Sequence, residues 1–204
     1  MDTVSVVHAR TGFRRFVAPL AGVLLGAALV IAGLIFVQPA SAFDYTAGSC
    51  NWVNPVGGSN VNYPATGDPC EIRWGVNVGQ GQSGYRFNPT PPPAVTNIDI
   101  GDAFNLGQFT HFNAPIQSGS SITQVDLSLQ VFLSGFNGGI SPTFTFRFSH
   151  FETPNNPAGG ICAGTGIPTP PEGCPDIVTF PSAFATETFT FDDVVYTLQL
   201  IAHV

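Results

Sequence analysis

The sequence predicts an all-β protein, a β-sandwich of jelly-roll type behind an N-terminal signal-peptide helix, on three observations. Side-chain polarity alternates with period 2 in several stretches after residue 42, and none keeps a 3.6-residue period. Glycines number 23 and prolines 18, so turns are frequent and helices few. Phenylalanine, also 18, suits pleated and half-buried surfaces. A chain of 204 residues holds one domain plus a leader, here 1–42 and 43–204.

The leader comes first. Arg10, Arg14 and Arg15 form a basic region, an apolar run from Phe16 to Val37 follows, and Ala40-Ser41-Ala42 supplies an A-x-A cleavage site. Cleavage leaves Phe43 as the mature N-terminus. About 20 apolar residues could instead stay as a membrane anchor, but the small-residue triplet favours removal.

The clearest strand runs from Ile122 to Leu133, with Val125, Leu127, Leu129, Val131 and Leu133 on one face and Asp126, Ser128 and Gln130 on a wet one. Phe144, Phe146, Phe148 and His150 alternate with Thr145, Arg147 and Ser149, and a last strand spans Val194 to Val204. Weaker strands are expected at 71–76, 83–87, 103–113, 176–180 and 186–191. Turn-rich segments fall at 54–69, 88–93, 117–121, 136–142 and 153–175, with Pro91-Pro92-Pro93 read as a stiff loop. Because the last strand reaches Val204 with nothing behind it, it either docks in the sheet or the sequence is truncated there.

Only 9% of residues are charged and none is lysine. Without the leader, twelve acids stand against Arg73, Arg86 and Arg147, a formal net charge of −9. Such a surface repels nucleic acid. Four cysteines, Cys50, Cys70, Cys162 and Cys174, follow the signal, an even count that reads as disulfides of a secreted or cell-surface protein. Of three pairings, Cys50–Cys70 and Cys162–Cys174 are favoured because they staple local loops. Zinc held by these cysteines fails on spacing, with no C-x-x-C and no histidine near a cysteine.

Gly79 to Gly84 matches G-x-G-x-x-G, but Tyr85-Arg86-Phe87-Asn88-Pro89 follows as a strand rather than a helix, so this is a hairpin loop and not a nucleotide site. No nucleophile elbow, H-E-x-x-H or Walker sequence occurs. Asp192 and Asp193 point to opposite faces if extended and mark a turn. Calcium is a minor candidate on the Asp- and Asn-rich loops; no other cofactor or metal ligand set is read. The most distinctive segment is Phe104 to Ile116. If it is extended, Thr110 and Phe112 share one face while His111 and Asn113 share the other. Thr110, His111 and Asn113 are the candidate binding residues. The alternative, preferred here, is that His111 and Asn113 tie a loop backbone to the strand end. His150 and His203 read as solitary packing residues.

The order Cys-Glu-Ile-Arg-Trp-Gly (70–75), Ser-Gly-Tyr-Arg-Phe (83–87) and Phe-x-Leu-Gly-x-Phe-Thr-His-Phe-Asn-x-Pro-Ile (104–116) resembles the THxN family of PEP-CTERM proteins, the choice-of-anchor K domain. Its Thr-His-x-Asn signature stands at Thr110, His111 and Asn113. The resemblance implies an exported bacterial surface or matrix protein of unestablished activity, and no catalytic residues. Such proteins usually carry a C-terminal anchor. Here no Pro-Glu-Pro motif or second apolar helix follows, so a freely secreted form or an incomplete sequence is expected, with membrane contact only through an uncleaved leader. The functional expectation is a non-enzymatic structural or binding protein whose partners are extracellular polysaccharide or cell-envelope components. One rival is a carbohydrate-binding module stacking sugars on Trp52, Trp74, Tyr63 and Tyr85. Another is a secreted hydrolase with two carboxyls about 5–10 Å apart.

Overall fold

The alternation of polarity is realised as strands throughout. The computed structural model describes residues 3–4, 43–46, 48–89, 95–99, 102, 104–135, 139–170, 173–179, 185–191 and 194–200. Apart from Thr3–Val4, which form a strand, the expected leader helix lies outside them, as do the Pro91–Pro93 loop and the last four residues, His203 among them. Fourteen strands are described: β1 (Thr3–Val4), β2 (Phe43–Thr46), β3 (Cys50–Gly57), β4 (Asn62–Ala65), β5 (Cys70–Trp74), β6 (Ser83–Pro89) and β7 (Val95–Ile98), then β8 (Gly107–Phe112), β9 (Ile122–Gln130), β10 (Phe132–Ser134), β11 (Thr143–Phe151), β12 (Ile177–Thr179), β13 (Ala185–Phe191) and β14 (Val194–Leu200). Every strand pairing is antiparallel.

Two sheets form the sandwich. The front sheet has the order β1-β8-β6-β5-β4, in which β4, β5, β6 and β8 run as a meander; the back sheet is β12-β11-β9-β3. A smaller sheet, β10-β2-β7, and the β13-β14 hairpin complete the described strands. The hairpin ladder closes at Phe191↔Val194, with Asp192 and Asp193 between the strands and outside the described residues.

Aromatic rings fill the space between front and back. β11 buries every second residue: Phe144, Phe146, Phe148 and His150 point inward while Thr145, Arg147 and Ser149 face out. Phe148 stacks on Phe109 of β8 with centroids 5.4 Å apart, and Trp52 of β3 meets Tyr85 of β6 at 5.5 Å. Rings this close gain about 0.5–1.5 kcal/mol per pair beyond their area burial. The Cys50–Cys70 disulfide joins β3 to β5, so it links back sheet to front, and Cys162–Cys174 closes the loop before β12.

The outer faces carry the few charges in paired form. Asp126 of β9 is on the face expected to be wet, yet it is buried beneath Arg147 (Nε–Oδ1 2.9 Å) and the Asn54 amide (3.2 Å). Hydrogen bonding by Arg147 exceeds the opposing effect of burial and, with Asn54, lowers the Asp126 pKa from its ordinary 3.8. Glu71 accepts from Arg73 Nε at 2.6 Å and Arg86 Nε at 2.7 Å. Burial pushes its pKa up, but those hydrogen bonds and charges prevail and hold it below the ordinary 4.5. All three arginines after the leader are thus paired to carboxylates.

The second half of β3 and the whole of β4 lie in 54–69, which was expected as turn. Pro55 and the glycines at 57 and 58 suggest a break, but the β3–β9 register shifts between Val53 and Val56, and Asn54 takes φ 53° there. A bulge accommodates a proline that a regular ladder would not. The Gly79–Gly84 segment is the expected hairpin loop between β5 and β6, closed by Asn77 Oδ1 accepting from Gly79 and Gly81 N–H.

Candidate functional site

β8 positions the signature. Its register sets His111 opposite Tyr85 and Phe109 opposite Phe87 on the inner face, while Thr110 lies opposite Arg86. Phe112 lies under the guanidinium of Arg73 at 3.6 Å, a cation–π contact on the outer face. Thr110 is therefore on the far side of the sheet from His111, and the structure does not bring the two together. Asn113, just past the strand, donates from Nδ2 to the Cys174 carbonyl at 3.0 Å. This bond ties the loop before β12 to the end of β8.

His111 does something else. Its Nε2 lies 3.5 Å from Asp176 Oδ2, and His150 Nε2 lies 3.8 Å from the same oxygen. The two imidazoles cross edge to face at 5.6 Å. One donor atom from each of His111, His150 and Asp176 falls within 4.8 Å of the other two. These residues come from β8 in the front sheet, β11 in the back sheet and the residue before β12, so the group forms only when the sandwich closes. His150, expected to be solitary, is a member; in the sequence Asp176 stands only as the start of a strand and as part of the Asp176–Phe180 segment that resembles the THxN pattern.

Asp176 and His150 are held from outside the group. Asp176 Oδ1 accepts from the Thr153 N–H at 2.9 Å, which leaves Oδ2 toward the imidazoles. Thr153 Oγ1 in turn lies 3.0 Å from the Pro175 carbonyl and 3.3 Å from that of Cys174. His150 Nδ1 pairs with the Tyr85 hydroxyl at 2.7 Å, and Trp74 packs edge-on against the same imidazole. Burial first, then the charges of Asp176 and Glu152, push the Tyr85 phenol far above its ordinary 10.0. The hydroxyl therefore stays protonated. Glu152 Oε2 approaches His150 Nε2 at 3.5 Å from a surface groove that Ile116, Ile122, Thr123 and Thr153 also line.

Within the group, two atoms make no hydrogen bond although buried: His111 Nε2 and Asp176 Oδ2. The Asp176 and His150 side chains are fully closed to solvent and that of His111 is 15% exposed. A buried polar atom left so costs about 1–3 kcal/mol, more for a charged one. Two imidazoles and one carboxylate could hold a metal ion, and they differ from the all-oxygen set that calcium prefers.

The aromatic residues considered for sugar stacking fall differently. Trp52, Trp74 and Tyr85 are core residues, and of the four only Tyr63 is exposed. No protein-family model matches the chain, and no curated protein matches its sequence.

Proposed function

We propose that the chain is an exported bacterial protein of the cell surface or extracellular matrix, that it acts by binding rather than by turnover, and that the loop from Glu152 to Asp176 is its contact surface. One observation carries the reading. Among the described residues this loop has no strand beyond one isolated bridge, Ile161↔Pro168, yet it is fastened at its base by Asn113 and Thr153 and closed by Cys162–Cys174. Long loops in compact domains are usually functional. A stapled loop also loses less conformational freedom on binding. Its upper part presents Ile161 and Ile167 to solvent, half exposed among small and polar residues.

The two cystines suit an oxidising compartment, in keeping with the basic and apolar leader and with the resemblance to exported THxN proteins. Among the described residues no helix is long and apolar enough to cross a membrane. Extracellular polysaccharide or a cell-envelope component is the partner class. The test is a pull-down of isolated envelope and matrix fractions by the secreted protein and by Ile161→Ser/Ile167→Ser. The variant should melt at the same temperature and lose retention. Retention equal to wild type removes the loop from this role.

A further inference from the structure

We propose that His111 Nε2, His150 Nε2 and Asp176 Oδ2 form a zinc site that pins the base of the loop to both sheets. The inference goes beyond the binding reading and stands on the geometry of the cluster alone.

A hydrogen-bonded relay is the competing account, and the distances disfavour it. A charge-assisted N–H···O bond is about 2.7–2.9 Å long, whereas the two histidine–Asp176 separations are 3.5 and 3.8 Å. Ligand atoms around a tetrahedral zinc with bonds of about 2.0–2.1 Å sit about 3.3 Å apart. The two imidazole–carboxylate spacings are near that edge, and the remaining pair, at most 4.8 Å apart, would have to draw together on binding. An ion at the centre would also satisfy the two buried atoms that make no hydrogen bond.

The surroundings are those of a ligand set. A metal-binding histidine donates its other ring N–H to an acceptor, which fixes the tautomer. In the Nδ1–H tautomer His150 donates to the Tyr85 oxygen and turns its Nε2 lone pair toward Asp176. Thr153 occupies Asp176 Oδ1 and leaves Oδ2 as a monodentate ligand. Two nitrogens and one oxygen suit zinc and other imidazole-binding transition ions such as iron(II), and not calcium or magnesium. Three protein ligands leave a fourth position for water or a bound group, and a surface groove lined by Glu152 and His150 lies beside the site.

The consequence is mechanical. Asp176 ends the loop, His111 is the penultimate residue of β8 and His150 that of β11, so one ion would join the loop end to both sheets.

The experiment uses the full untagged chain as secreted, with both cystines intact, stripped by chelator and titrated with zinc and with cobalt as a spectroscopic probe. One zinc per chain, and visible cobalt bands of tetrahedral intensity displaced by zinc, are expected. Asp176→Asn, which keeps the shape, and His111→Ala should each weaken zinc at least about 100-fold, and Tyr85→Phe about 10–100-fold, the range for an outer-shell partner. Calcium should neither bind there nor displace cobalt. Circular dichroism and thiol titration establish that each variant is folded and oxidised; should His111→Ala fail to fold, the isosteric Asp176→Asn decides. Failure of the folded wild type to take up stoichiometric zinc or cobalt overturns the proposal, as does wild-type affinity in folded Asp176→Asn. Because envelope retention is read separately through Ile161 and Ile167, loss of one proposal leaves the other standing.

Discussion

Replacing Asn113 by alanine should loosen the Glu152–Asp176 loop far more visibly than it destabilises the domain. The side chain donates one hydrogen bond, 3.0 Å, to the carbonyl of the fully buried Cys174. A neutral bond of this kind is worth about 0.5–1.5 kcal/mol net. Thr153 Oγ1 stays within 3.3 Å of the same carbonyl, so the loss should remain near 1 kcal/mol. In a domain of this size that lowers the melting temperature by about 2–4 °C. Locally, the same free energy raises the open population of the loop about fivefold. Proteinase K cleavage near Ile167 follows that population when opening and closing are fast. Because Cys162–Cys174 holds nicked fragments together, the cut appears only on a reducing gel. Asn113→Asp, which cannot donate and sets a carboxylate against a carbonyl, should cleave faster still. Equal cleavage rates and equal melting in wild type and Asn113→Ala would show that the signature asparagine does not anchor the loop.

Removing the inter-sheet disulfide with Cys50→Ala/Cys70→Ala should cost about 3 kcal/mol on chain-entropy grounds for a separation of 20 residues. Urea midpoints of the variant and wild type measure it, and a difference below the scatter of repeat melts contradicts the staple. Trp52→Ala should cost about 3–5 kcal/mol, since the ring is buried against Tyr85, Phe109 and Phe148; a folded variant of native stability that had lost only a ligand would reinstate sugar stacking. Stability should also fall in acid. Glu71 and Asp126 are held below their ordinary 4.5 and 3.8, so their contribution is complete above those values and disappears as pH falls through the lower folded ones. Denaturation midpoints from pH 6 to 2.5 should decline, with a shallower slope in Glu71→Gln/Asp126→Asn, and a wild-type profile flat over that range would refute the assignment.

The all-β class, the inward phenylalanines of β11 and the two disulfide pairings were legible in the chain because each is a local property. Alternation has a period of two residues, and cysteines 20 and 12 positions apart close short loops. Even the faces around Thr110 were legible, since a strand must send Thr110 and His111 to opposite sides. β2, β3, β4 and β7 were not read as strands; in β3 only the partner strand β9 shows that a bulge accommodates Pro55. Asp126 was assigned to water, and the side chains of Arg147 and Asn54 across the ladder covered it. The union of His111, His150 and Asp176 had no sequence spacing to betray it. Those residues lie on different sheets and a loop end, and their proximity is created by two apolar faces closing over one core. Periodicity specifies which way a side chain points; only the packing of the sheets decides what it meets there.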